Sequence, residues 1–154
     1  MKTNTFKYTF TLLFLFFLIA CSTRKDTFLA RNSHALSTKY NILYNGQIGL
    51  DKGVVTVKAT TVDNFWKRLP IERMQINDDF TAEGKPKNTD FELAETKATK
   101  AIQKHSMNIQ GSEKNPQMDE AHLLLGQSRY YEQRFVPALE AFNYVLYKYP
   151  KSDK

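Results

Sequence analysis

Cysteine is nearly absent from the sequence, because Cys21 is the only one among 154 residues. A single cysteine cannot form an intrachain disulfide, which excludes a disulfide-stapled fold. The sequence also lacks a G-x-S-x-G elbow, an H-E-x-x-H pair and a glycine-rich phosphate loop. Its histidines, His34, His105 and His122, have no spacing that converges on a metal ion. We therefore expect no enzymatic activity, no catalytic residue, no metal and no cofactor.

Long hydrophobic runs are also missing, apart from a short one near the start of the chain. Two lysines precede an apolar stretch from Phe10 to Ile19, which is too short to span a bilayer comfortably. The letters LIAC, ending at Cys21, resemble the lipobox of bacterial lipoproteins, in which the cysteine is acylated and becomes the mature amino terminus. We predict a signal peptide over residues 1–20 and a lipidated tether over 21–27. An ordinary free or buried thiol is the alternative.

The charge balance is only mildly basic. Removal of Lys2 and Lys7 with the signal lowers the formal net charge from +6 to +4. The chain has no clustered stripe of arginine or lysine, and export makes a nucleic-acid partner unsuitable. We therefore expect a bilayer contact through acylated Cys21 and no nucleic-acid binding.

The first segment after the tether has the spacing of an amphipathic helix. Its apolar residues follow at three- and four-residue steps: Leu29, Leu36, Tyr40, Leu43, Tyr44 and Ile48. Gly46, Gly49 and Gly53 weaken a helix unless they let a neighbour approach closely, and valines after them favour extended structure. We predict a helix to about residue 59 within an N-terminal helical region, residues 28–75, a possible degenerate repeat.

Two aromatic residues and a polar loop follow this helix. Phe65 and Trp66 are predicted to pack in the core, with a ligand platform as the alternative. Residues 76–88 are predicted to form a loop because they are polar and contain Gly84 and Pro86. Thr89 and Glu92 have the spacing of a capping box, which predicts a helix over residues 89–109.

The stretch over residues 119–152 resembles a tetratricopeptide repeat, whose pattern is a large residue, L-G, an aromatic, A-x-x-x-F and a closing proline. The residues at the expected offsets are Leu125, Gly126, Ala138, Phe142 and Pro150. Those that depart from the pattern are His122, Arg129 and Val145. In such a hairpin the glycine lets the helices approach and the proline ends the second helix. An ordinary helical hairpin is the alternative.

The predicted fold is all-α: antiparallel helical hairpins of the tetratricopeptide type, the start of an α-solenoid, after a cleaved signal segment. Residues 89–154 hold one helix and one repeat. Such repeats bury their apolar faces by stacking, and part of the last helix lacks a following helix to cover it. The residues concerned are Leu139, Phe142, Leu146 and Tyr149. We expect the solenoid to continue beyond Lys154.

The resemblance to tetratricopeptide repeats also implies a binding surface. Ligands of these repeats lie along the face formed by the first helix of each repeat. Carried onto this sequence by position, that face consists of Glu120, Leu123, Gln127, Tyr130 and Tyr131. Rigid aromatic side chains beside a carboxylate and an amide suit a peptide or protein partner.

Longer motifs resemble one lipoprotein family. "FLARNSHALSTKYNILYNG", "DNFWKRLP", "KAIQKHSMNI" and "RFVPALEAFNYVLYKYPKSDK" are similar to the opening region of the SprE (PorW) family of gliding motility and type IX secretion in Bacteroidota. The resemblance implies a non-enzymatic scaffold, lipid-anchored in the outer membrane and facing the periplasm, that contacts proteins of the secretion machinery. It implies no small-molecule substrate.

Two alternatives remain open. One is an outer-membrane-protein assembly lipoprotein, whose repeats share the Y-E-Q-R-F…YP-K-S pattern. The other is a glycan-binding lipoprotein of the starch-utilisation type, which requires exposure on the cell surface. The basic residues Arg24 and Lys25 after the cysteine favour the periplasmic side.

Overall fold

The computed structural model describes residues 7–8, 22–74 and 88–153. Within these ranges the chain is mostly helical, as predicted. In chain order the elements are α1 (Phe28–Leu36), a π-helical segment (Ser37–Leu43), α2 (Tyr44–Thr60), α3 (Thr89–His105), β1 (Asn108–Ile109), β2 (Ser112–Glu113), α4 (Met118–Tyr131) and α5 (Phe135–Lys148). Cys21, most of the predicted signal peptide and nearly all of the loop at 76–88 lie outside the described residues.

The first three elements form one continuous helix, which we call the N-terminal helix. The backbone stays helical at both junctions of the π-helical segment. Thr27 begins the helix because its hydroxyl accepts a hydrogen bond from the Ala30 amide at 3.2 Å. The helix ends at Thr60, since Thr61 is already extended. The valines near its end are therefore helical, and the predicted extent of the helix is confirmed.

The buried face of the N-terminal helix combines three glycines with Ile42, Leu43, Leu50 and Val57, and among the large residues that mark its amphipathic pattern only Leu43 is buried. Gly46, Gly49 and Gly53 are buried, whereas Tyr40 and Tyr44 are 60% and 62% exposed. Leu29, Leu36 and Ile48 are exposed as well. The reason is close approach: a Cβ added at Gly53 would lie 2.5 Å from the ring of Phe91 in α3. The pattern thus located the helix, but most of its large apolar residues face outward.

α3 lies between the N-terminal helix and α4. Its buried residues are Phe91 and three alanines, and Ala94, Ala98 and Ala101 have no exposed surface. Small side chains on both sides let three helices pack closely, where dispersion contacts are densest. The hydrophobic core therefore runs through α3.

Both predicted ends of α3 need correction. The cap is Asn88 rather than Thr89, because the Asn88 side chain accepts from the Asp90 amide at 2.9 Å. The helix stops at His105 rather than at residue 109. The carboxylate of Glu113 accepts hydrogen bonds from the Met107 amide and the Ser106 hydroxyl, at 2.7 and 2.6 Å. These bonds hold the extended Ser106 and the following Met107 against Glu113, so the chain leaves the helix there and continues into the short β1–β2 hairpin.

The prediction that Phe65 and Trp66 pack in the core is wrong. Phe65 is 80% exposed and Trp66 is 97% exposed. Asn64 forms a tight turn there, since its side chain accepts from the Trp66 amide at 3.0 Å. An ion pair between Asp63 and Arg73, 2.5 Å apart, closes the segment below the turn. The two aromatic side chains therefore lie in an exposed turn rather than in the core.

α4 and α5 form a helical hairpin, which we call the second hairpin because it follows β1–β2, and a three-residue turn at 132–134 joins them. Gln133 in this turn has a positive φ of 60°. Leu139 and Leu146, on the outer face of α5, are exposed and have no cover from described residues. Phe142 and Tyr149, which were expected to lack cover as well, are half-buried, because Phe142 packs on Gly126 of α4 and Tyr149 lies against Tyr144 and His122.

A cluster of charged side chains joins α3 to this hairpin. Glu95 of α3 accepts from the Arg129 guanidinium at 2.7 Å and from the Arg134 guanidinium at 2.6 Å. Glu132, which is buried, accepts from the Asn88 amide at the start of α3 at 2.9 Å. The turn of the second hairpin is thereby fixed to the first turn of α3.

Candidate protein-binding groove

A groove lies between the N-terminal helix and α4. Its volume is about 390 Å³. The N-terminal helix supplies one wall and α4 supplies the other. The lining residues are Lys39, Tyr40, Leu43, Tyr44, Gln47, Glu120, Leu123, Leu124 and Gln127.

The π-helical segment shapes the first wall of this groove. The hydrogen bonds of a π-helix span five residues rather than the four of an α-helix, so a π-helical segment shifts the faces on which later side chains lie. Lys39, Tyr40 and Leu43 come from this segment, and Tyr44 follows it directly. The Lys39 ammonium lies 5.7 Å from the centre of the Tyr40 ring. This wall therefore presents two aromatic rings and a cation.

A second depression continues the groove towards the end of α2. Its volume is about 360 Å³, and Gln47 and Gln127 line both depressions from opposite walls. The remaining lining residues are Leu50, Asp51, Val54, Val55 and Tyr131. An amide side chain both donates and accepts hydrogen bonds. The facing glutamines can thus bind a peptide backbone, while the apolar and aromatic residues contact its side chains.

The residues predicted to bind a partner lie mostly in this groove. Glu120, Leu123 and Gln127 line the first depression, and Gln127 and Tyr131 line the second. Tyr130 lines neither of them, since its ring packs edge-on against Tyr131 and Phe135. The sequence predictions did not include Tyr40, Tyr44 and Gln47 of the facing wall. Tyr40 and Tyr44 belong to the apolar stripe that marked the helix, and the glycines of the same helix, which are buried in their place, were the signal that these rings could face outward. Gln47 carried no such signal.

Tyr131 is fixed by two contacts. Its hydroxyl donates to the Glu72 carboxylate at 2.5 Å, and its ring stacks on Phe91 with the centroids 5.8 Å apart. Burial and then the Glu72 hydrogen bond raise the pKa of Tyr131 to about 12. Its phenol therefore stays neutral at physiological pH, and a ligand in the groove meets a preorganised ring.

Most of the residues predicted to define the repeat lie where α4 packs against α5. A Cβ added at Gly126 would collide with the ring of Phe142. Leu125 and Ala138 are buried in the hairpin, and Pro150 lies just after the end of α5. The close helix approach expected from the glycine is present.

The described part of the chain holds neither a cluster of metal ligands nor a helix suited to spanning a membrane. No group of three or more histidine, cysteine, aspartate or glutamate side chains there is arranged to hold a metal ion. Among the helices of the described residues, none combines the length and the apolar character needed to cross a bilayer. Neither the protein-family models nor the curated proteins contain a match to this sequence.

Proposed function

We propose that this chain is a membrane-anchored tetratricopeptide scaffold that binds proteins of the type IX secretion and gliding machinery. The observation that carries the proposal is the groove, which presents aromatic rings, apolar side chains and facing amides along two helices. Such a lining suits an extended or helical segment of a partner protein better than a small polar substrate.

The assignment to tetratricopeptide repeats is supported by a packing arrangement that occurs twice. Gly53 of α2 faces the ring of Phe91 in α3, and Gly126 of α4 faces the ring of Phe142 in α5. In each pair a glycine on the first helix receives an aromatic ring from the second. We infer that the N-terminal helix and α3 form a degenerate first repeat, which the segment between them lengthens.

The same proposal includes the membrane anchor and the side of the outer membrane on which the helices lie. Acylated Cys21 holds the chain at the outer membrane, and the helices face the periplasm. Each buried methylene of an acyl chain contributes about 0.8 kcal/mol, so two or three chains anchor stably. A mass spectrum of the mature amino terminus tests this, since an unmodified Cys21 contradicts it. Protease treatment of intact cells tests whether the helices face the periplasm, because digestion of the protein by the added protease would indicate that it is exposed on the cell surface.

Site-specific photocrosslinking in cells tests the groove. A photoreactive residue at Tyr44, in the groove wall, is expected to give adducts with secretion proteins. The matched control is Tyr147 on α5, an exposed tyrosine that lines neither depression. Equal adducts from both positions would contradict a groove-specific partner. Adducts with the outer-membrane assembly machinery would favour the alternative lipoprotein class, and binding of oligosaccharide to the purified protein would favour the glycan-binding class.

A further inference from the structure

Two imidazole rings meet where the N-terminal helix contacts the end of α3. Nδ1 of His34 lies 2.9 Å from Nδ1 of His105. His34 is only 8% exposed, and its Nε2 has no hydrogen-bond partner among the described residues. A hydrogen bond between the two Nδ1 atoms requires a hydrogen on one of them and a lone pair on the other. The contact therefore exists only while the accepting ring is neutral.

A buried hydrogen-bond network surrounds this pair. The Thr38 hydroxyl donates to the His34 carbonyl at 2.7 Å and accepts from the Asn115 amide at 3.1 Å. The same Asn115 amide nitrogen donates to the His105 carbonyl at 2.9 Å. Thr38 and Asn115 are almost completely buried. The histidine contact and these hydrogen bonds together join the N-terminal helix, the end of α3 and the loop before α4.

The π-helical segment connects this network to the groove. Thr38 is its buried contact to Asn115, while Tyr40 in the same segment lines the groove. A π-helical turn is less stable than an α-helical one and persists where tertiary contacts fix it. Loss of the inner contacts therefore releases residues that form the groove wall.

We propose that His34 and His105 form a pH-sensitive latch that holds the N-terminal helix on α3 and fixes the adjacent wall of the groove. A proton added to the accepting Nδ1 places two hydrogens between the rings, which ends the hydrogen bond. Protonation of the accepting ring therefore opens the latch. Only the consequence for partner binding rests on the proposed function of the groove.

The charges around the latch oppose protonation. Burial, and then the neighbouring His34 ring, Lys100 and Lys104, lower the pKa of His105. The nearby acids are already engaged: Glu113 accepts from the Ser106 hydroxyl and the Met107 amide, and Asp26 pairs with Arg31 and Lys114. No described carboxylate hydrogen-bonds to either ring.

The direction of the pH effect follows from this lowered pKa. The folded chain binds a proton at His105 more weakly than the unfolded chain, whose histidine pKa is 6.5. The stabilisation by the latch is complete above about pH 6.5 and is lost as the pH falls below it through the lowered pKa of His105.

Hydrogen exchange and imidazole NMR titration test the latch on the full-length chain, in mild detergent and without a histidine tag. We expect the protection of the Thr38 and Tyr40 amides, corrected for intrinsic exchange, to fall between pH 7.5 and 5.5. One linked proton limits the fall to about tenfold per pH unit. The His105→Gln variant, which lacks the imidazole at position 105, is expected to remove this dependence.

His122 provides the matched control, because burial also lowers its pKa but it packs against Tyr144 in the second hairpin. The His122→Gln variant is expected to keep the full pH dependence at Thr38 and Tyr40. If His105 titrates in the unmodified protein without any change in that protection, the latch is ruled out even if the variants misfold. If the latch opens with acid but Tyr44 forms no adduct at any pH, the latch stands and the proposed function of the groove fails.

Discussion

The ring of Phe142 lies so close to Gly126 that no side-chain atom fits between them. The same relationship holds between Phe91 and Gly53 in the neighbouring helix pair. An aromatic ring over a glycine brings the helix axes together and fills the space that a side chain would take. These two contacts determine how closely each pair of helices packs.

We expect Gly126→Ala and Gly53→Ala each to lower the free energy of unfolding by about 1–3 kcal/mol. Alanine favours a helix over glycine by about 1 kcal/mol, but overpacking against an aromatic ring usually costs more. Urea unfolding followed by circular dichroism measures the difference. The double variant Gly126→Ala/Phe142→Leu is the control, since the smaller side chain leaves room for the new methyl group. If the free-energy changes of Gly126→Ala and Phe142→Leu, measured separately, simply add in the double variant, the steric explanation is wrong.

Replacement of Phe91 and of Trp66 by alanine is expected to lower the free energy of unfolding by very different amounts. Phe91 is fully buried between Gly53 and Tyr131, so Phe91→Ala is expected to cost about 3–5 kcal/mol. Trp66 is almost fully exposed, so Trp66→Ala is expected to change stability by no more than about 0.5 kcal/mol. Thermal unfolding of both variants checks the pair. A large effect at Trp66 would mean that the residue is buried in solution.

The charged cluster at Glu95 makes stability fall at acidic pH. Burial raises the pKa of Glu95, but the hydrogen bonds from Arg134 and Arg129 outweigh burial and leave the pKa below its ordinary value of 4.5. The resulting stabilisation is present above pH 4.5 and is lost as the pH falls through the lowered pKa.

Replacement of this carboxylate tests its role. Glu95→Gln is expected to lower the free energy of unfolding by about 1–3 kcal/mol at neutral pH, because it weakens two charge-assisted hydrogen bonds. The difference from the unmodified protein is expected to shrink at pH 3. Glu140→Gln on the exposed surface of α5 is the control and is expected to have little effect. An equal loss at every pH would contradict the ionic explanation.

Tyr131 links the groove to the segment after the N-terminal helix. Because its pKa is raised to about 12, the stabilising neutral phenol is favoured up to pH 10 and lost as the pH rises from 10 through 12. Tyr131→Phe removes the hydrogen bond to Glu72 but keeps the stacking on Phe91. We expect a cost of about 1 kcal/mol and faster proteolysis of residues 61–74. Tyr147→Phe is the matched exposed control, and equal proteolysis of the two variants would contradict this link.

The sequence predicted the helical character of the chain well. Periodic apolar residues located the N-terminal helix, and the spacing of Leu125, Gly126, Ala138 and Phe142 predicted the second hairpin. It misplaced the ends of α3, since Asn88 and Glu113 satisfy backbone groups by bonds that a capping pattern does not reveal. It also wrongly predicted that Trp66 is buried. A hydrophobic side chain in a short segment is buried only if another element packs over it, and residue spacing does not show whether one does.

The sequence by itself determined that helices form and where glycines permit close contact, because both depend on local residue spacing and size. Only the tertiary structure decided which face of the N-terminal helix is buried, since the glycines of that helix fit closely against side chains and backbone of α3 and α4. That packing left Tyr40 and Tyr44 to line the groove opposite Gln127. It also brought His34 and His105, which are far apart in sequence, within hydrogen-bonding distance.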